Sequence, residues 1–365
     1  VRLGSCIAIE LAIGVGLTAA TATGALYGVR ELQSVWAKPA AAATVDTRVA
    51  AAEIAPLADS EFAAPANLQP AARPLTVFDG VADDVLLEPL RTGKIVKVKV
   101  NKGGSSISLR LDFDNGSRAA FKPNQTNMQT IPRKEVAAFR INRLLGLNSV
   151  APAVGREFHW DDIVAALAPD HRFHLPRLQA EMVRDDGFVA GELSWWIPVI
   201  THAEITRFRI DSVEGIVTWK RYLAAGGKIP PRARPMAAQI SDMLLFDFVI
   251  NNMDRWSGGN TRASADGSTL YFMDNTLSFG VDPDGHPKSL VYLQRAQRFS
   301  RSLVTALRNL DRRQLRAALD HDVEPFDELL TDGEVDSVLS RRDVALDYIG
   351  QLIELHGEAE VLVFP

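Results

Sequence analysis

Between residues 94 and 145 the chain changes its hydrophobic period once, and that change dictates a small sheet followed by a helix. Lys94-Ile-Val-Lys-Val-Lys-Val100 alternates apolar with basic residues, as a half-buried strand does. Asn101-Lys-Gly-Gly-Ser-Ser106 reads as a turn, Ile107 to Phe113 alternates again, and Asp114-Asn-Gly116 is a hairpin signal. Arg118 to Lys122 makes a third strand, which Pro123 stops. From Lys134 to Leu145 the apolar residues Val136, Phe139, Ile141, Leu144 and Leu145 are interleaved with charge, which predicts a helix.

A second helix is expected over Met236 to Asn251, apolar at Ile240, Leu244, Phe248 and Val249. It runs into the polar cluster Asn251-Asn-Met-Asp-Arg-Trp-Ser-Gly-Gly-Asn260, which must be a loop. A strand over Ser268 to Met273 then carries Asp274-Asn275 toward the same place. The remainder, from about Lys288 to Val363, reads as mostly helical, and no internal repeat is present.

Upstream of the folded region two segments have other signatures. Residues 1–36 contain an apolar run from Ser5 to Val29, interrupted by Glu10 and flanked by Arg2 and Arg30. Its length suits a single signal anchor or membrane-spanning helix, with a cleaved signal segment as the rival. Residues 37–74 are dominated by Ala and Pro and read as a disordered linker. Two lobes are expected beyond it, over 75–200 and 201–365. An inserted anchor would place them outside the cytoplasm; a cleaved one would leave the protein secreted.

Composition removes several functions. A net charge of -5 offers no broad phosphate-neutralising surface, so nucleic acid is not an expected partner. The basic run Arg295, Arg298, Arg301, Arg308, Arg312, Arg313 and Arg316 suits one helical region, either a solvated face or a docking surface for an acidic substrate. The single cysteine, Cys6, permits no intrachain disulfide and no cysteine zinc site. Any metal should therefore be a hard cation held by oxygen ligands.

Phosphoryl transfer is chemistry that such residues can perform, because it asks chiefly for positioning and electrostatics. Asp254 in a loop and Asp274 20 residues later at a strand end suit a carboxylate for the attacking hydroxyl and one for a cation. By spacing alone, turn or capping roles would serve them equally. Lys122 at the end of the third strand and Glu135 at the start of the helix are placed to form an ion pair that steadies nucleotide phosphates. An exposed Lys before Pro is the plainer reading. Gly103, Gly104 and Ser105 could fold over phosphates through backbone N–H groups, or form an ordinary hairpin turn. Asn260, beyond Gly258 and Gly259, is either a second cation ligand or a turn residue.

Together these pieces resemble the secretory-pathway kinases of the Golgi casein kinase and Four-jointed group. The resemblance rests on Ala120-Phe121-Lys122-Pro123, on Glu135-Val-Ala-Ala-Phe-Arg-Ile-Asn-Arg-Leu-Leu145 with Val150-Ala-Pro152 and Val154-Gly-Arg156, on Phe246-Asp-Phe-Val-Ile-Asn-Asn-Met-Asp-Arg255, and on Met273-Asp-Asn275 with Phe279-Gly280. It implies a divergent, bacterial-type member with a bilobal α+β kinase-like fold. It also implies an ATP-dependent kinase using Mn²⁺ or Mg²⁺, with a protein or glycan hydroxyl as acceptor. Asp254 matches the group's catalytic Asp, Asp274 its metal-binding Asp, Lys122 its nucleotide Lys and Glu135 its helix Glu. The chain departs from the group at Gly259, where a polar residue is usual, and in lacking disulfide staples. Residues 157–235 match no part of it; Trp195, Trp196 and Trp219 lie there, as core residues or as sugar-stacking platforms. A membrane-anchored pseudokinase and a nucleotidyl (AMP) transferase on the same fold are the competing readings, with HipA-like and lipid kinases as neighbouring families.

Overall fold

Residues 76–257 and 259–365 are described by the computed structural model of the chain. The expected anchor over 1–36 and linker over 37–74 lie outside the described residues, with Cys6 and Gly258. A short hairpin (β1, Val77–Phe78; β2, Val81–Ala82) leads into helix α1 (Asp83–Thr92). Five antiparallel strands follow: β3 (Ile95–Val100), β4 (Leu109–Phe113), β5 (Arg118–Pro123), β6 (Ala153–His159) and β7 (Phe188–Trp195), in the order β3-β4-β5-β7-β6. The alternation sends Val98, Val100, Leu109, Leu111, Phe113, Ala119 and Phe121 into the core. A register shift between Ile95 and Lys97 leaves Val96 exposed, the local cost of an irregular pair.

Helix α2 (Pro132–Leu144) begins two residues before the expected start, because Pro132 sits in the first turn, where its missing N–H is harmless. It buries Val136, Ala137, Ala138, Phe139 and Ile141 against the sheet.

Strands β6 and β7 occupy part of the stretch that matched nothing in sequence. Gly191 and Glu192 sit in the middle of β7 and break its apolar pattern. Gly191 is required there: a Cβ would lie 2.5 Å from the Lys122 carbonyl oxygen and 2.6 Å from the Phe121 ring. Between β6 and β7 run α3 (Trp160–Ala166) and α4 (Leu175–Glu181).

The second half is mainly helical. Short strands β8 (Thr201–His202), β9 (Glu204–Ile205) and β10 (Phe208–Arg209) precede α5 (Val213–Leu223) and α6 (Arg234–Val249). Helix α6 is apolar nearly all round, with Met236, Ala237, Ile240 and Met243–Val249 buried, as a central helix must be. Beyond it, β11 (Thr261–Ala263) and β12 (Leu270–Phe272) complete a three-stranded sheet with β8. Helices α7 (Pro287–Leu293), α8 (Arg301–Asn309), α9 (Arg312–Leu319), α10 (Asp332–His356) and α11 (Glu358–Val361) finish the chain. One hydrophobic cluster runs from Val98 and Phe121 of the sheet through α6 to Leu352 of α10.

Trp219 is a core residue, fully buried with its indole N–H donating to the Ile210 carbonyl at 2.9 Å. Four arginines of the basic run are ion-paired. Arg298 pairs with Glu360, Arg301 with Glu358, Arg312 with Asp332 and Asp336, and Arg316 with Asp320 and Asp332. Among the described residues no helix is long and apolar enough to cross a membrane.

Candidate active site

Strand β5 delivers Lys122 toward the loop after β12. Its ammonium lies 2.5 Å from Asp274 Oδ1, which also accepts from the Thr276 hydroxyl at 2.9 Å. Asp274 adopts a left-handed φ of 58°, which a short polar side chain tolerates and which turns its carboxylate out of the strand. Burial opposes the charge on Lys122. The Asp274, Glu135 and Glu192 carboxylates outweigh it and hold the ammonium above its ordinary pKa. Burial likewise opposes the charge on Asp274, but Lys122 beside it holds the carboxyl below the usual range.

The ion pair expected between Lys122 and Glu135 takes another form. Lys122 contacts Asp274, while Glu135, at the start of α2, accepts the backbone N–H of Asn275 at 2.6 Å and its side-chain amide at 2.8 Å. Asn275 follows Asp274 directly and presents two donors side by side, so a buried carboxylate is gripped by both. Burial pushes the Glu135 carboxyl up, and Lys122 pulls it back down.

Asn275 is the hub of a second network. Its side-chain oxygen accepts from Arg255 at 2.7 Å and from Asn252 at 3.1 Å. Arg255 is 1% exposed; it forks onto Asp247 of α6 at 3.0 Å and donates to the Met273 carbonyl. Burial raises the Asp247 carboxyl and Arg255 opposes it. Asn252 also donates to the Asp274 carbonyl at 3.2 Å and accepts the Asp254 N–H at 2.9 Å. The end of α6, the Asp254 loop and the Asp274 segment are therefore tied into one polar unit.

Asp254 itself is half-buried. Its carboxylate accepts from the Ser257 hydroxyl and from Asn260 Nδ2 at 3.1 Å, and Asn260 also reaches the Asp254 carbonyl at 3.1 Å. Asn260 is thus brought onto Asp254. Gly259 allows this, with φ +83° and the Arg262 guanidinium 2.8 Å from where a Cβ would stand. Trp256, two residues after Asp254, stacks on Tyr292 at 4.5 Å and 3° and packs against Trp219 at 5.6 Å. These two ring contacts brace the loop.

Gly103 and Gly104 have φ of +91° and +77° in the exposed β3–β4 turn, and the Ser105 carbonyl accepts from Arg177 of α4 at 2.7 Å. Among the described residues no hydrogen bond joins these three to the Lys122–Asp274 network.

Sequence reasoning missed Asp247, Asn252, Arg255 and Glu192. Glu192 is the antiparallel partner of Lys122, 1% exposed, and accepts from the Ser194 hydroxyl at 2.7 Å. Burial first, and Glu135 second, raise its carboxyl to about 8, while the Lys122 ammonium beside it favours the charged form. A lone Glu inside Phe188-Val-Ala-Gly-Glu-Leu193 was the available signal.

Among the described residues no group of three or more His, Cys, Asp or Glu side chains could hold a metal unaided. A cation at Asp274 would draw on few protein oxygens. That donor set fits Mg²⁺ or Mn²⁺, whose shells in such sites are completed by water and nucleotide phosphates.

No protein-family model matches the chain. It is 23% identical over 319 residues to human glycosaminoglycan xylosylkinase, covering 76% of this chain and 77% of that protein. It is 22% identical over 280 residues to human extracellular serine/threonine protein kinase FAM20C, covering 65% and 48%. Mouse pseudokinase FAM20A is 22% identical over 318 residues, covering 72% and 57%. The chain thus spans three quarters of the xylosylkinase and about half of the two FAM20 proteins. Among solved structures, the Golgi casein kinase with Mn/ADP bound has a TM-score of 0.59 at 18% identity, over 77% of this chain and 78% of that one. Hydra Fam20 with sugar has a TM-score of 0.57 at 18% identity, over 75% and 90%. The chain has the fold of these kinases, and its curated relatives bear out the resemblance to the secretory-pathway kinases.

Proposed function

We propose that this chain, a relative of the Fam20-type secretory-pathway kinases, transfers the γ-phosphoryl group of ATP to a hydroxyl on a protein or a glycan. The observation that carries the reading is the convergence of Lys122 and Glu135 from one half of the fold with Asp274 and Asp254 from the other, joined through Asn275, Asn252 and Arg255. Lys122 is a permanent cation for the β- and γ-phosphates, and Glu135 fixes the Asp274–Asn275 turn against α2. Asp254, its carboxylate oriented by Ser257 and Asn260, aligns or deprotonates the acceptor hydroxyl. Asp274 is the residue to hold Mn²⁺ or Mg²⁺, with Asn260 as a second oxygen donor; when bound, the cation offsets charge on the transferring phosphoryl group.

Human relatives are named for both acceptor classes, xylose in a glycosaminoglycan and serine or threonine in protein, so both belong in the assay. The apolar segment 5–29 supports a domain carried outside the cytoplasm, anchored or secreted. FAM20A, a pseudokinase, marks the competing outcome. The intact set of Lys122, Glu135, Asp254 and Asp274 favours catalysis.

The test is transfer of label from γ-labelled ATP, with Mn²⁺ or Mg²⁺, to casein-like peptides and to xylosylated glycan acceptors, beside Asp254→Ala. Label that enters one acceptor and disappears in the variant is the expected result. Nucleotide binding without transfer in either metal would establish a pseudokinase, and label from α-labelled ATP a nucleotidyl transferase.

A further inference from the structure

Helix α10 lies in a part of the fold to which nothing above assigns a role, yet two buried charged residues two turns apart on it reach the site from behind. The first is Glu334, 5% exposed. Its carboxylate accepts from Arg133 at 2.8 and 3.1 Å and contacts the Lys134 ammonium at 3.1 Å. Arg133 and Lys134 immediately precede Glu135 in the first turn of α2. Lys134 also donates to the Ser278 carbonyl at 2.8 Å, and the Ile131 N–H donates to the Thr276 carbonyl at 3.3 Å. The second is Arg341, fully buried. It donates to the Val249 carbonyl at 2.9 Å and to the Gly280 and Asp282 carbonyls at 2.8 Å each.

Between the carbonyls held by Lys134 and Arg341 lies Phe279. It is fully buried with a φ of +59°, uncommon for a bulky side chain. Such a conformation persists only where the surroundings over-determine it. Here the Ser278 carbonyl is held on one side, the Gly280 carbonyl on the other, and the Phe279 N–H donates to the Ile250 carbonyl at 2.6 Å. The turn that carries Asp274 and Asn275 is therefore fixed at its far end by α10.

We propose that α10 is the positioning element of the site: through Glu334 and Arg341 it sets the first turn of α2 and the 274–282 segment in the one arrangement at which Glu135 meets Asn275 and Asp274 faces Lys122. Glu334 touches no reacting group; it acts through Lys134, Arg133 and the segment they hold. The catalytic part of this inference rests on the kinase reading, and the structural part does not.

Glu334 also closes a capping box with Thr331, which permits a clean separation. Glu334→Gln keeps the box, since Gln serves at that position, but removes the charge facing Arg133 and Lys134. Thr331→Ala breaks the cap bond to the Glu334 N–H and leaves the ion pairs in place. In Glu334→Gln, amide exchange at Asn275 and Phe279 should accelerate at least about tenfold relative to β4 amides, a local opening of the segment. The kcat should fall about tenfold with the acceptor KM within about twofold, as for an arrangement needed in the transition state. Thr331→Ala should lower Tm, yet hold kcat within about twofold when each protein is assayed equally far below its own Tm. Equal kcat losses in the two variants, or exchange raised uniformly along the chain, would reduce Glu334 to an ordinary stabilising residue and overturn the proposal. If the wild-type chain transfers no phosphate, the kinase reading falls and the exchange comparison still decides the positioning claim. Should Glu334→Gln not fold, Lys134→Met, which removes the link from Glu334 to the Ser278 carbonyl and leaves the Glu334–Arg133 pair, takes its place with the same outcomes.

Discussion

Asp274 and Asp254 stand 20 residues apart and are held by opposite means. Asp274 sits in a web of buried charge: Lys122 on its carboxylate, Asn275 beside it locked onto Glu135, and Arg255 behind both. Asp254 sits in a half-exposed loop, with its carboxylate steadied by two short side chains of that same loop, Ser257 and Asn260. A buried network has no water to fall back on, so its members keep one geometry. An exposed turn exchanges its hydrogen bonds with solvent at little cost. The Asp274 carboxylate is thus preorganised by buried partners from distant segments, while the Asp254 carboxylate is steadied only by side chains of its own loop.

Breaking either aspartate should give the largest effects and separate their roles. Asp274→Ala and Asp254→Ala should each lower transfer by at least about a thousandfold, the scale for a group acting in the transition state. Only Asp274→Ala should also weaken Mn²⁺–ADP binding, by about tenfold or more in titration calorimetry, as loss of a metal-holding oxygen requires. Loss of nucleotide binding in Asp254→Ala would erase the distinction between the two aspartates.

Arg255→Met tests whether the web is a single unit. It leaves Asp247 and the Asn275 oxygen buried without their cation, and should cost about 3–5 kcal/mol in urea unfolding. A cost under about 1 kcal/mol would mean that water substitutes for the guanidinium.

Glu192→Gln sharpens the comparison through pH. The folded carboxyl is raised to about 8 from an ordinary 4.5, so the folded state holds a proton that the unfolded chain has lost. This group's contribution is complete below pH 4.5 and declines as pH rises through about 8. Replacing it with Gln should flatten the fall in Tm between pH 5 and pH 8. An unchanged pH profile would show that Glu192 is charged and paired with Lys122.

The smallest effect is expected from Ser257→Ala. Its hydroxyl is exposed, so stability should change by less than about 0.5 kcal/mol and transfer only a few fold. A thousandfold loss of transfer would place Ser257 with the buried network.

Much of this site was legible before folding because its residues lie at the ends of strongly patterned elements. Lys122 closes an alternating strand, Glu135 opens an amphipathic helix, Asp254 follows a helix apolar all round, and Asp274 follows a short apolar strand. What stayed hidden was partnership. Lys122 and Asp274 are separated by 152 residues, and no local pattern records which of several carboxylates a lysine meets. Glu192 was hidden for a second reason: Gly191 interrupts the strand pattern so that the sheet can pass close to the Lys122 backbone.

By itself the sequence determined the strands β3, β4, β5 and β12, the helices α2 and α6, the residue types at their ends and the absence of cysteine staples from residues 7–365, because periodicity, turn chemistry and composition are local properties of the chain. Only the tertiary structure decided that Glu135 binds Asn275, that Arg298, Arg301, Arg312 and Arg316 of the basic run meet acids of α10 and α11, and that α10 reaches behind the site. Those are contacts between distant segments, and their energies depend on burial, which is a property of the packed fold.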